Sequence, residues 1–324
     1  MTSLTAPNSL GIKSLLGAEL LDRGQIDKIL KTAFAFKAAS ENPGPDAVFK
    51  NSPLKGKTVA LVFFEDSTRT RISFEVAAKR LGANTLIFSP SNSSTKKGET
   101  LFDTARTLEA MKPDVIVLRH PSAGTPYHFD QILKVPVVNA GDGFHEHPTQ
   151  ALLDLMTIQE FKGKVEGRNV LIIGDIAHSR VARSNIYALK TMGAKVRVCG
   201  PPTLLPPKVE NLGVEVFWNL EEAVKGQDVV MMLRIQFERF QGAQAPSKSE
   251  YARFFGLNSR TIGFCEKDAL IMHPGPMNRG LELSTEVADG PQSVILSQVA
   301  NGVMLRMAVL HLLVGGEVLG GKRG

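Results

Sequence analysis

The chain has 324 residues, 43% apolar and 22% charged, which fits a soluble globular protein with room for two domains of ordinary size. Its net charge is +6, but Lys and Arg are scattered rather than gathered in a tail or stripe, and three Tyr and one Trp offer few surfaces for base stacking. Nucleic-acid binding is therefore disfavoured and small anionic metabolites are favoured. No apolar run approaches the roughly 18 residues of a membrane span, and residues 1–17 lack a basic stretch followed by a long apolar one. Neither a membrane association nor a secretory leader is expected. The isolated Cys199 and Cys265 are expected to be buried thiols in a reducing, cytoplasmic setting.

In chain order, residues 10–37 show a helical pattern, with apolar side chains at Leu20, Leu21, Ile26, Ile29, Leu30 and Phe34. The unbroken apolar run Val59-Ala60-Leu61-Val62-Phe63-Phe64 predicts a parallel strand covered on both faces. Residues 71–81, free of Gly and Pro, predict the helix that follows it. Further strands are predicted at 85–89, 115–119, 135–139, 170–174, 195–199, 214–218, 229–233 and 269–272, and helices at 100–111, 148–161, 179–192 and 294–314. Strand-helix alternation implies parallel sheets with helices on both faces, and nine strands suit two sheets better than one. The expected fold class is α/β, with two doubly wound domains, each a parallel sheet flanked by helices, joined by interdomain helices. The polar stretch 159–167 marks the change of domain, giving a first domain of residues 1–152 and a second of 153–296, with a C-terminal helix at 297–324 packing back on the first.

Ligands in open parallel sheets bind beyond the carboxyl ends of the strands. Six predicted strands end in polar or turn-forming clusters. The first is Ser67-Thr68-Arg69-Thr70-Arg71, at a strand-to-helix turn where free N–H groups and the positive end of the helix dipole favour an anion, phosphate above all. The others are Arg119-His120, the run Gly141 to Gln150, Asp175 to Arg180, Arg234-Ile235-Gln236 and His273-Pro274-Gly275-Pro276. Six such clusters on one edge suggest a single site assembled from both domains. His145, Glu146 and His147 are adjacent in sequence and lack an i, i+4 partner, so no metal site is expected. Gly174 begins a turn without the rest of a dinucleotide fingerprint, and neither a phosphate-binding P-loop nor a nucleophile elbow is present. No cofactor is expected. The loop Ser93-Ser94-Thr95-Lys96-Lys97-Gly98-Glu99-Thr100 is either a solvated loop or a flap that lays cations over an anionic ligand.

Together these segments resemble the aspartate/ornithine transcarbamoylase family over residues 11–314. The signature Phe64-x-x-Ser67-Thr68-Arg69-Thr70-Arg71-x-Ser73-Phe74-Glu75 and the run His147-Pro148-x-Gln150 are shared by both branches of that family. Lys96-Lys97-Gly98-Glu99-Thr100, Arg234-x-Gln236-x-Glu238-Arg239 and His273-Pro274-Gly275-Pro276 resemble the aspartate branch. Gly275 departs from the Leu of many relatives, and the flap varies around Ser94-Thr95.

The resemblance implies transfer of a carbamoyl group from carbamoyl phosphate to L-aspartate, the committed step of pyrimidine synthesis. It implies that Ser67, Thr68, Arg69 and Thr70 hold the phosphate, and that Arg119 reaches phosphate and carbonyl oxygen. His147 would donate to that carbonyl, while Gln150, with backbone groups at Gly275 and Pro276, would bind the carbamoyl amide. Arg180 and Arg234 would take the two aspartate carboxylates, with Gln236 and Lys97 lining the site. Ser93 and Lys97 would arrive from a neighbouring subunit of a homotrimer, which stands alone or joins regulatory chains or a dihydroorotase. An ornithine-type acceptor and a non-catalytic scaffold are the rival readings. Arg234-x-Gln236 argues against the first, because a cation repels ornithine, and the complete set of catalytic residue types argues against the second.

Overall fold

The computed structural model describes residues 10–41, 52–88, 100–237 and 246–315. The chain divides into two units. The first comprises Met1–Met156 and Ala300–Gly324, the second Thr157–Val299. The boundaries fall after Met156 and Val299, inside two helices, α5 (Pro148–Lys162) and α10 (Ile295–Val314), a few residues beyond the expected 152 and 296.

The first unit is built on a four-stranded parallel sheet of β1 (Thr58–Phe63), β2 (Asn84–Phe88), β3 (Val115–His120) and β4 (Val137–Asp142), in the order β2-β1-β3-β4. Its helices are α1 (Arg23–Glu41), α2 (Thr68–Arg80), α3 (Leu101–Ala110) and α4 (Thr125–Ile132). Alternate residues Ala60, Val62, Ile116 and Leu118 turn one sheet face toward Ala105 and Leu108 of α3 and Phe129 of α4. The residues that alternate with them, Val59, Leu61, Val115 and Val117, are buried as well, so the sheet is covered on both faces and its strands are apolar at successive positions.

The second unit carries a five-stranded parallel sheet of β5 (Asn169–Ile173), β6 (Lys195–Cys199), β7 (Glu215–Phe217), β8 (Val229–Met232) and β9 (Leu270–Met272), in the order β7-β6-β5-β8-β9. Around it lie α6 (Arg180–Thr191), α7 (Leu220–Ala223), α8 (Lys248–Phe255) and α9 (Thr285–Ala288). Leu171, Ile173, Val230, Met232 and Ile271 pack with Leu220, Val224, Leu257 and Val287 in its core.

All nine predicted strands are present among the described residues. The helix expected from residue 10 begins only at Arg23. Before it, Leu15 forms a parallel bridge to Val138 beside β4, with its N–H on the Val137 carbonyl at 2.9 Å. Asp22 and Gln25 then start α1 reciprocally: Gln25 N–H donates to Asp22 Oδ1 (2.8 Å), and Asp22 N–H to Gln25 Oε1 (3.0 Å). Strand β4 runs on to Asp142 because its polar residues are partnered: Asn139 Nδ2 donates to the Leu16 carbonyl and to Asp142 Oδ1, both at 2.8 Å.

Helix α10, at 20 residues, is long and apolar enough to cross a membrane by length and composition, yet 72% of its most apolar stretch is buried inside the protein. From Asn301 to Leu313 every residue but Val303 is buried, so this part is a core helix and its apolar composition follows from packing.

Candidate active site

In each sheet the strand order reverses beside the first strand, between β1 and β3 in one and between β5 and β8 in the other. Ligand sites of doubly wound sheets lie beyond the carboxyl ends at such reversals. There the first unit carries Ser67 to Thr70 after β1 and Arg119 in β3. The second carries Asp175 to Arg180 after β5 and Arg234 after β8.

At the β1–α2 turn Ser67 is the N-cap of α2, yet its side chain makes no capping hydrogen bond. Its hydroxyl and the first-turn N–H groups of a 13-residue helix therefore suit an incoming anion. Thr68 and Arg69 are exposed and Thr70 is buried. Ser73 Oγ donates to the Thr70 carbonyl at 2.8 Å, which tightens this first turn.

Arg119 is only 9% exposed. Its Nη2 donates to Glu65 Oε1 at 3.1 Å and its Nη1 to the Ala140 carbonyl at 3.3 Å, so the guanidinium plane is held by a carboxylate after β1 and by backbone of β4. His120, next to it, lies edge-on to Phe64 with ring centroids 5.0 Å apart, and burial pushes its pKa down. Beyond β4, Asp142 organises the turn. Its oxygens accept from Asn139 Nδ2 (2.8 Å), Gly124 N–H (2.7 Å) and Glu146 N–H (3.1 Å). This places buried His147 immediately before α5, where its carbonyl accepts the Gln150 N–H at 2.9 Å. Gln150 lies on the first turn of α5, and its Nε2 donates to Asp154 Oδ1 at 3.0 Å. Thus Ser67, Thr68, Arg69, Thr70, Arg119, His147 and Gln150 all belong to the carboxyl edge of the first sheet.

In the second unit, Gly174 follows β5 with φ 134°, a conformation that favours glycine. A Cβ on Gly200 would clash with the Gly174 carbonyl oxygen, so the turns after β5 and β6 approach closely because residue 200 is glycine. Asp175 then accepts the His178 N–H at 3.0 Å, and burial raises its pKa. Ser179 caps α6 by accepting the Ala182 N–H, which sets buried Arg180 at the first helical position.

The half-buried Arg234 and Gln236 flank Ile235, whose N–H donates to Glu282 Oε1 at 2.8 Å. Asn278 N–H donates to Glu282 Oε2 at 2.7 Å and Asn278 Nδ2 to Oε1 at 2.8 Å. Glu282 is completely buried, and burial raises its pKa. One carboxylate thus joins the segment after β8 to the segment after β9. In the latter, Gly275 (φ 65°) precedes Pro276 through a cis peptide bond, and its N–H donates to His273 Nδ1 at 2.8 Å.

Ser93 and Lys97 lie outside the described residues, as do Glu238 and Arg239. Asp154 and Glu282 went unnoticed in the sequence. Asp154 had a signal, its i, i+4 spacing from Gln150 on one helix face, whereas Glu282 had none. Both cysteines are free thiols, but Cys265 is half-buried rather than buried. Among the described residues no group of three His, Cys, Asp or Glu side chains could hold a metal ion. A surface cleft of about 660 Å³ between Trp218, Glu221, Arg253, Phe254 and Arg260 contains none of the residues expected in the site.

Strand ends that present arginines, a histidine and an open helix N-terminus define an α/β enzyme acting on anionic substrates. A family model described as "Aspartate/ornithine carbamoyltransferase, carbamoyl-P binding domain" matches residues 13–160, and a second, for the "Asp/Orn binding domain", matches residues 166–313. The chain belongs to the aspartate/ornithine carbamoyltransferase family. It is 56% identical over 307 residues to an aspartate carbamoyltransferase catalytic subunit from Syntrophotalea carbinolica, covering 95% of this chain and 97% of the relative. It is 53% identical over 313 residues to one from Methylorubrum populi, covering 97% and 98%. Aspartate transcarbamoylase from Trypanosoma cruzi in complex with N-(phosphonacetyl)-L-aspartic acid superposes with a TM-score of 0.85 at 33% identity, covering 95% of this chain and 98% of that one. Ornithine carbamoyltransferase from Pyrococcus furiosus gives a TM-score of 0.82 at 32% identity, with both chains fully covered.

Proposed function

We infer that the chain transfers the carbamoyl group of carbamoyl phosphate to the amine of L-aspartate, giving N-carbamoyl-L-aspartate and phosphate, a step of pyrimidine biosynthesis. The fold alone does not choose between acceptors, since solved structures of both branches resemble it almost equally. The observation that carries the choice is identity of 53–56%, over nearly the whole chain, to catalytic subunits named for aspartate. The arginines agree with it. Arg180 after β5 and Arg234 after β8 suit an acceptor with two carboxylates and would repel the second amine of ornithine.

In this reading, the N-terminus of α2, with Ser67, Thr68, Arg69 and Thr70, takes the phosphate of the donor. The aspartate amine attacks the carbonyl carbon, and negative charge grows on the carbonyl oxygen. Thr70, Arg119 and His147 donate to that oxygen, and Arg119 arrives pre-aimed because Glu65 and the Ala140 carbonyl already hold its fork. The C–O bond to phosphate then breaks. Arg69 offsets charge on the departing group, which accepts the proton lost by the amine. The rate comes from holding two substrates together among fixed donors, with no covalent intermediate.

Arg180, Arg234 and Gln236 bind aspartate, and backbone groups at Gly275 and Pro276 join Gln150 on the carbamoyl amide. Ser93 and Lys97 complete the site from a neighbouring subunit of a homotrimer. The deciding experiment is an acceptor screen on the purified chain with carbamoyl phosphate. Aspartate should give carbamoyl-aspartate and ornithine should give no citrulline; the reverse pattern, or no turnover with either, refutes the reading. Light scattering of the same sample should give three times the chain mass.

A further inference from the structure

Asp154 is completely buried one helical turn after Gln150 on α5, and its Oδ1 accepts the Gln150 Nε2 at 3.0 Å. An ionised carboxylate has acceptors only, so whatever lies next to Asp154 on Gln150 must be the NH₂ end of the amide. The other end, Oε1, is thereby turned away from Asp154 as an acceptor.

The guanidinium of Arg306, on α10, supplies the opposing charge. It is 4% exposed and lies 5.1 Å over the face of Phe74, with Nη1 donating to the Gly302 carbonyl at 3.1 Å. Burial lowers its pKa to about 10, against the attraction of Asp154, so it remains a cation at neutral pH. The space for it depends on Gly302, where a Cβ would lie 2.6 Å from Arg306 Nη1.

We propose that Asp154 is a positioning residue that fixes the Gln150 amide with its oxygen toward the ligand, and so selects an acyl donor bearing NH₂ over one bearing CH₃. The inference rests on Gln150 binding the carbamoyl amide. An acceptor at Oε1 bonds to the carbamoyl NH₂ and has nothing to bond in an acetyl group of the same shape, and a site built for a hydrogen bond rejects the analogue that lacks it. If the amide turned over, its own NH₂ would oppose the carbamoyl NH₂ and the selection would vanish.

The test compares carbamoyl phosphate with acetyl phosphate, using inorganic phosphate as a control for the anion subsite. The wild-type chain should bind carbamoyl phosphate at least about tenfold more tightly than acetyl phosphate. In Asp154→Asn the carboxylate, which only accepts, gives way to an amide that both accepts and donates, so Gln150 is no longer held in one orientation. The KM for carbamoyl phosphate should then rise about tenfold, while inhibition by acetyl phosphate and by inorganic phosphate changes less than about twofold. In a Gln150→Ala background, Asp154→Asn should alter the carbamoyl-to-acetyl ratio no further.

An unchanged ratio in Asp154→Asn, or equal loss of affinity for all three ligands, overturns the proposal. So does a wild-type chain that does not discriminate, a measurement that needs no variant to fold. Failure of the function itself would appear separately, as absence of carbamoyl-aspartate from the wild-type reaction.

Discussion

Glu282 and Ile235 are 47 residues apart and are joined by a 2.8 Å hydrogen bond from the Ile235 N–H to a buried carboxylate. The same carboxylate takes both donors of Asn278, so the segment bearing Arg234 and Gln236 is tied to the segment bearing Gly275 and Pro276. Glu282→Ala leaves three donors without their acceptor. An orphaned buried donor costs about 1–3 kcal/mol, so a stability loss on the order of 3 kcal/mol is expected in urea unfolding, water relieving part of the deficit. The KM for aspartate should rise while that for carbamoyl phosphate stays within about twofold. Equal loss for both substrates would show that Glu282 supports the unit as a whole.

Arg119 meets Glu65 and the Ala140 carbonyl with two different nitrogens. Lysine keeps the charge but cannot span both partners, because its ammonium is a single point on a flexible stem. Arg119→Lys should therefore fold normally and lose about a hundredfold in kcat, the usual cost of removing one preorganised donor. Stopped-time assays at saturating substrates, with a melting curve beside them, check both halves. A kcat within about threefold of wild type would remove Arg119 from the stabilisation of the carbonyl oxygen.

The strands were legible because a parallel strand covered on both faces has to be apolar at successive positions, as Val59 to Phe63 are. The anion turn was legible because hydroxyls and arginine stand directly after such a run. What stayed hidden was the polar interior. Asn139 and Asp142 sit inside β4 through their mutual hydrogen bond, a pairing that no propensity reports. Leu15 joins β4 by a single bridge, so a helical pattern at residues 10–22 misled. Glu282 reads as a surface acid, and only tertiary structure brings it against Ile235.

Arg234 is placed by the same carboxylate tie and is assigned to an aspartate carboxylate. Arg234→Ala should raise the aspartate KM by about 10–100-fold, the equivalent of a charge-assisted hydrogen bond of about 1.5–3 kcal/mol. The dissociation constant of carbamoyl phosphate, measured by calorimetry without aspartate, should not change. Weakened carbamoyl phosphate binding would place Arg234 on the other substrate.

A shared site predicts complementation. Arg69→Ala and Lys97→Ala chains, each inactive alone, should regain part of the wild-type rate when mixed under conditions that exchange subunits, since some sites then draw intact residues from both parents. Native mass spectrometry confirms the exchange. Exchanged but inactive mixtures would mean that each chain carries its own complete site.

Cys199, at the end of β6, is fully buried, and burial raises its thiol from 9.0 to about 12. Between these values the unfolded chain releases the thiol proton and the folded chain keeps it, so the folded state binds more protons and stability falls as pH rises. At 1.36 kcal/mol per unit over about three units, this one group costs about 4 kcal/mol by pH 12. Cys199→Ala removes the titration while leaving a small cavity in the second unit's core. The variant should be less stable than wild type by about 1 kcal/mol at pH 8 and should lose stability more slowly above pH 9, so the two curves of urea midpoint against pH converge. Parallel curves from pH 8 to 11 would mean that the thiol titrates alike in both states and that its burial is not maintained in solution.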